Sequence, residues 1–205
     1  MESQARGGTR WRRFGLVMVP SVAATAAIGV ALAQGALAAS LSISGQEFKV
    51  HVDRLVGEGF VQYGTVITPS GQGSRAAAVS AFDHATLYNL CQSVVVPVPV
   101  FGDVTLRIEA GTDEDNPAEA DNMFIDVAQL NADATFSNID IGVDSAEVNG
   151  GAPNDWYEGL NGTFAQQADT AVLTDVEQTA WATSAGSFKL SDLSLRLYHG
   201  GHECF

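Results

Sequence analysis

Met123-Phe124-Ile125-Asp126-Val127-Ala128-Gln129 begins the stretch that decides the fold, which runs on to Val148. Its phrase Phe124 to Gln129 has two echoes. Leu87-Tyr88-Asn89-Leu90-Cys91-Gln92 precedes it, and Leu173-Thr174-Asp175-Val176-Glu177-Gln178 follows. All three read apolar-x-(Asn/Asp)-apolar-x-Gln, a spacing taken here for a half-buried strand whose side chains alternate between two faces. After the central and last copies comes a second shared run, Phe136, Ile139, Ile141 and Val143 against Leu190, Leu193, Leu195 and Leu197. The Gln of the phrase is expected to pair its amide with backbone or with its counterparts across strands.

Alternation breaks in the same manner three times, at Val52-Asp53-Arg54-Leu55, Phe136-Ser137-Asn138-Ile139 and Leu190-Ser191-Asp192-Leu193. Two polar residues stand where one would keep the phase. A one-residue slip turns every later side chain to the other face, so each site is predicted to be a bulge or sharp corner. Such corners keep one apolar face continuous along a curved sheet.

Outward from the central stretch, strands are predicted at Glu47 to Leu55 and Phe60 to Thr68, with Gly57 and Gly59 between them. Ala76 to Ala81 fits a helical turn or a short strand equally. Leu87 to Pro99 carries Pro97 and Pro99, which lack ladder donors, so it reads as an edge strand or extended connector. Val104-x-Leu106-x-Ile108 alternates cleanly. Gly111 to Asn122 is acidic and holds Pro117, which predicts an exposed loop. Further strands are expected at Met123 to Phe136, Ile139 to Val148, Ala171 to Thr183 and Phe188 to His199. The fold class is all-β: a curved antiparallel sheet or a sandwich/β-roll of long strands with bulges, preceded by an N-terminal signal helix.

That front end has three parts. Arg10-Trp11-Arg12-Arg13 is basic, Phe14 to Leu32 is apolar, and Ala36-x-Ala38 offers small residues for cleavage. Residues 1–38 therefore read as a signal peptide, cut after Ala38, with residues 39–205 as one secreted β domain. An uncleaved membrane anchor through residues 14–32 is the rival reading, because the apolar run approaches one span. Either way the chain is expected to be exported, to the extracellular space or the cell envelope.

Formal charge is −14 over 205 residues, and beyond residue 38 only six Lys/Arg stand against 23 Asp/Glu, or −17. A phosphate backbone is repelled by that field, which excludes nucleic acid as a partner. Cys91 and Cys204 form an even pair, read as a disulfide in an exported protein.

Candidate chemistry is sparse. Gly-x-Ser-x-Gly, the nucleophile elbow, is absent, and no catalytic residue is assigned. His84 beside Asp83 could join a serine in space, with Ser44, Ser74 and Ser187 as the Gly-adjacent serines. His199-Gly200-Gly201-His202-Glu203-Cys204 is rich in ligand atoms but lacks zinc spacing, and reads as a polar tail stapled to the body. Asp113-Glu114-Asp115, Glu119 and Asp121 lack the glycine and closing Glu of a calcium hand. No metal or cofactor is assigned. Asn161-Gly162-Thr163 matches the glycosylation sequon. Trp156, Tyr157 and Trp181 either line a lipid cavity or fill the core, the second being the ordinary use of such residues.

Phe48-x-Val50, Gly59-Phe60-Val61-Gln62-Tyr63-Gly64, Ala120-Asp121-Asn122-Met123 and Leu130-Asn131-Ala132 carry a resemblance, together with Gln178-Thr179-Ala180-Trp181-Ala182-Thr183 and Phe188-Lys189-Leu190. With these residues the chain is similar, over nearly its whole length, to a family of exported actinobacterial proteins of unknown function. Members of that family often carry the label "cholesterol esterase" and tend to be encoded beside a small multi-pass membrane protein. The resemblance implies an envelope setting and such a membrane partner, and it supplies no catalytic residues.

Three functions follow as expectations. The first is a non-catalytic envelope protein binding a lipid, a sterol or an envelope partner, at residues that the sequence does not name. The second is a secreted lipid or sterol-ester hydrolase using His84. The third is a structural protein that multimerises at a strand edge.

Overall fold

The computed structural model describes residues 46–68, 73–98, 102–151 and 162–205, so the leader, Trp156, Tyr157 and Asn161 lie outside the described residues. Among the described residues there is no helix. The strands are β1 (Phe48–Ile67), β2 (Arg75–Tyr88), β3 (Leu90–Val98), β4 (Gly102–Ala110), β5 (Ala118–Ser137), β6 (Asp140–Asp144), β7 (Phe164–Ser184), β8 (Ser187–Lys189) and β9 (Ser194–His199). All pairings are antiparallel, in one sheet of order β6-β7-β5-β2-β1-β3-β4-β9, with β8 on β5. The expected alternative of a curved single sheet holds, rather than two stacked sheets.

Curvature goes as far as closure. β1 pairs β2, β2 pairs β5, β5 pairs β7, and β7 pairs back onto β1 over Phe48–Ala180 to Tyr63–Ala165. This four-strand circuit encloses the main core, where Val52, Leu55, Phe60, Phe82, Met123, Leu173 and Val176 pack among alanines. The alanines (Ala85, Ala118, Ala120, Ala168, Ala171 and Ala180) are the reason so few strands can close: small side chains let opposite walls approach.

Two transverse rows of Asn, Asp and Gly bend the sheet. The registers set Asp53 opposite Asp175 on one side and Asn89 on the other, Asn89 opposite Gly111, and Gly111 opposite Asp192. Four of these five have left-handed backbones, with φ of 52° at Asp175, 54° at Asn89, 60° at Gly111 and 54° at Asp192. Asn, Asp and Gly visit that region most readily. The row is tied by Asn89 Nδ2 donating to Asp53 Oδ2 (2.9 Å), by the Asn89 amide donating to the Gly111 carbonyl and by the Gly111 amide donating to the Ser191 carbonyl, both at 2.7 Å. A second row runs Asn138, Asp169, Gly59, Asp83 and Asn122. There φ is 53° at Asn138, 62° at Gly59 and 48° at Asn122, and Asn138 Nδ2 donates to Asp169 Oδ2 at 2.6 Å.

The three predicted corners fall on these rows. At Val52 to Leu55 the outer pair is buried and Asp53 and Arg54 are exposed, Asn138 ends β5, and Asp192 turns β8 towards β9. Other expectations need correction. Glu47–Leu55 and Phe60–Thr68 are one strand, because Gly59 bends the chain without releasing its pairing. The loop expected at Gly111 to Asn122 closes by Pro117, and β5 begins at Ala118, since Ala118 and Ala120 are buried against the core. Leu87 to Pro99 does not behave as one edge strand. Its first residues belong to β2 and β3 has partners on both sides, although beyond Ser93 only β4 pairs it, and Pro97 lies there.

A smaller cluster of Val61, Tyr63, Val79, Ala81, Phe124 and Val148 packs on the outer face. Asp126 stands at its edge, and burial raises its carboxyl above the ordinary carboxylate range. Tyr63 is raised as well, by burial first and by the Asp126 charge second. With a raised folded pKa, the unfolded chain ionises first as pH climbs, so the charge works against folding above that value. Asp126→Asn is therefore expected to raise the denaturation midpoint at about pH 7. The gain should shrink as pH falls between the raised and the ordinary value, and vanish below both, at about pH 3. Denaturant curves at the two pH values check this.

Candidate functional site

Past the first row of corners the sheet does not close. β3, β4 and β9 present two faces of opposite character. One carries Ser93, Thr105, Arg107, Arg196 and Tyr198, and the C-terminal residues lie across it. Thr105 Oγ1 donates to the Gly200 carbonyl at 2.6 Å, and the Cys204 amide donates to Ser93 Oγ at 3.0 Å. The Cys91–Cys204 disulfide fixes the end of the tail, and Lys49 bridges Glu203 at 3.2 Å. The tail is stapled as the cysteine pair predicted.

The opposite face is apolar and continues the inner face of the circuit. Phe48, Val94, Leu106 and Leu197 stand in one row across β1, β3, β4 and β9, and Gln92, Ile108 and Leu195 in the next. Between this floor and the end of β7 lies a groove of about 500 Å³. Its walls include Phe48, Leu90, Val94 and Ile108 on one side and Trp181, Ala185, Phe188 and Leu190 on the other. Gln46, Gln92, Thr183 and Ser184 are its polar lining, and none of the lining residues is ionisable. In a chain of charge −14, that neutrality marks the groove off from the surface around it. The apolar floor runs on to the sheet edge, where Leu195 and Leu197 are 58% and 69% exposed.

Trp181 is not core, the use expected of it. It stands half-buried at the rim of the groove, with the Arg75 guanidinium 4.1 Å from its ring centre. The phrase glutamines also part company: Gln92 lines the groove, Gln129 is exposed, and Gln178 is buried with no partner for its amide nitrogen among the described residues.

His84 does meet a carboxylate, though not that of the neighbouring Asp83, and a serine stands on the other oxygen of that carboxylate. His84 Nδ1 lies 2.7 Å from Asp121 Oδ1, and Ser187 Oγ donates to Asp121 Oδ2 at 2.6 Å. The hydrogen bond from Ser187, then that from His84, holds the Asp121 carboxyl below its usual range. In a hydrolytic triad the imidazole stands between hydroxyl and carboxylate, so that it can take the hydroxyl proton. Here the carboxylate stands between the other two, and the serine proton is directed at Asp121. The three lie on the outside of the sheet and line no described cavity.

The remaining candidates have structural partners. Asp113 Oδ1 accepts from the Asp115 amide at 3.0 Å in a turn, Glu119 pairs with Lys189 at 3.2 Å, and the His202 ring rests 4.9 Å from Tyr198. Among the described residues no group of three or more His, Cys, Asp or Glu is placed to hold a metal ion.

No curated protein and no solved structure matches the chain. Residues 44–205 match a family described as a family of unknown function, DUF6230, and it is to this family that the chain belongs.

Proposed function

We propose that this protein is a non-catalytic, exported envelope protein that binds an apolar ligand, a lipid chain or sterol, in the groove between β3–β4 and the end of β7. The observation that carries this reading is the neutral apolar lining of a 500 Å³ groove that runs into an exposed leucine row. Binding pockets for small molecules have volumes of about 300–1,000 Å³ and mainly apolar walls with a few polar groups. Gln92 and Ser184 would meet a headgroup or hydroxyl at the polar side of the groove. The hydrolase reading has less support, because the serine nearest His84 is bonded to the carboxylate instead of to the imidazole.

Delipidated protein offered mixed-chain lipid vesicles is expected to extract lipid, read by mass spectrometry of the repurified protein. Ile108→Glu, which places a charge in the groove floor, should cut that uptake by about tenfold or more. A delipidated protein that extracts neither lipid nor sterol would sink the proposal.

A further inference from the structure

We propose that the interior of the strand circuit is a second binding site, separate from the groove. Its ligand is a small neutral molecule with an apolar body the size of a six-membered ring and one hydrogen-bond acceptor. The site is a cavity of about 150 Å³. Its apolar walls come from all four strands of the circuit, with Leu55 and Phe60 from β1, Phe82 from β2, Ile125 from β5, and Leu173 and Val176 from β7. A cavity of that volume walled by Leu, Ile and Phe stays dry and takes up a ring such as benzene.

Three polar side chains interrupt the lining, and they are not equivalent. Gln166 Nε2 donates to Gln62 Oε1 at 2.7 Å, and Gln62 Nε2 donates to Ser80 Oγ at 2.8 Å, so Gln62 is engaged at both ends of its amide. Gln178 is only 6% exposed, and among the described residues its Nε2 has no partner. An unsatisfied buried donor costs roughly 1–3 kcal/mol, so a strand that keeps one here has a use for it. A lone water is a weaker occupant, because the Leu, Ile and Phe walls give it few polar partners beside the Gln178 amide. A carbonyl, ether or hydroxyl oxygen on an apolar body answers both halves of the site. Charged ligands are excluded, since no ionisable side chain lines the cavity to offset their desolvation.

The mouth is set by pairing. β2 and β5 are hydrogen-bonded only as far as Ala78–Val127, while β5 runs on to Ser137 with β7 alone as its partner along the circuit. From there the wall is made of alternate β5 residues, and Ala132 and Ala134 are its small members. Ala134 is exposed although it lines the cavity, which places the opening beside it.

Cyclohexanone and methylcyclohexane test the site, being alike in size and differing in the acceptor. With the full chain isotopically labelled for NMR, cyclohexanone is expected to shift the Gln178 side-chain amide and methylcyclohexane to leave it in place. In Gln178→Met the ratio of the two affinities should move against cyclohexanone by about fivefold or more. Ala132→Leu fills the cavity from the β5 side while residue 178 stays a glutamine, and should abolish binding of both probes. The proposal is overturned if neither probe binds, if the affinity ratio is unchanged in Gln178→Met, or if Ala132→Leu binds both as before. An ordered water that stays on Gln178 at saturating cyclohexanone would overturn it too.

Discussion

Replacing Cys91 and Cys204 together by alanine is expected to lower the stability of the β unit by roughly 4–5 kcal/mol, less any strain in the native bridge. The two residues are 113 positions apart, so the bond removes much of the freedom of the unfolded chain. Against a typical total of about 5–15 kcal/mol, a loss of that size takes much of the margin. Local effects point the same way. The tail covers Ser93 and Thr105, which are 2% and 0% exposed, and without the bridge it is held by a few hydrogen bonds and the Lys49 contacts. Urea titrations of the double variant, and of the wild type with and without reductant, check this. Matching midpoints in all three would show that the bridge constrains nothing.

Gly57→Ala carries the second large effect. A Cβ at Gly57 would lie 2.2 Å from Phe82 Cδ1 and 2.5 Å from Cε1. Phe82 cannot simply step aside, because its ring packs on Phe60 at 5.4 Å between centroids, and Phe60 packs in turn on Phe136 at 5.2 Å. Overpacking of this kind costs about 1–3 kcal/mol, and the three rings packed in series place this case at the upper end. Phe82→Leu in the Gly57→Ala background should recover part of that loss. A double-mutant cycle with a coupling of about 1 kcal/mol or more, read from denaturant midpoints, is the expected result. Additive losses would mean that Phe82 is not the obstacle.

Much of the architecture was legible, and particular residues explain the rest. Strand content and corners follow from side-chain alternation, which is local. Asn89 and Asp175 look, by local pattern, like positions within steady strands, yet both have left-handed backbones. Leu87 and Leu90, like Leu173 and Val176, are all buried, so the repeated phrase is itself a corner in its first and last copies. The central copy differs: Ile125 and Val127 face the main core while Phe124 faces the outer cluster, and Asp126 stays extended. Closure of β7 onto β1 pairs residues over a hundred positions apart, which no local period encodes. The groove was hidden for the same reason, since Phe48, Val94, Ile108 and Phe188 come from four strands. Its one linear trace is Leu193, Leu195 and Leu197, an alternating run that finds no cover at the sheet edge.

The two rows of corners divide the strands into panels of equal length. Asp53 to Gly59, Asp83 to Asn89, Asp169 to Asp175 and, from Gly186 opposite Asn122 on the second row, Gly186 to Asp192 each span six positions. A sheet creased along two parallel lines tolerates no change of panel width in a single strand, because one lost residue would pull its crease off the neighbours' line. Insertions and deletions should therefore survive in the hairpin tips and outside the creases. Between the creases, length is as constrained as identity, and any natural relative of altered spacing should show the same change in every panel at once.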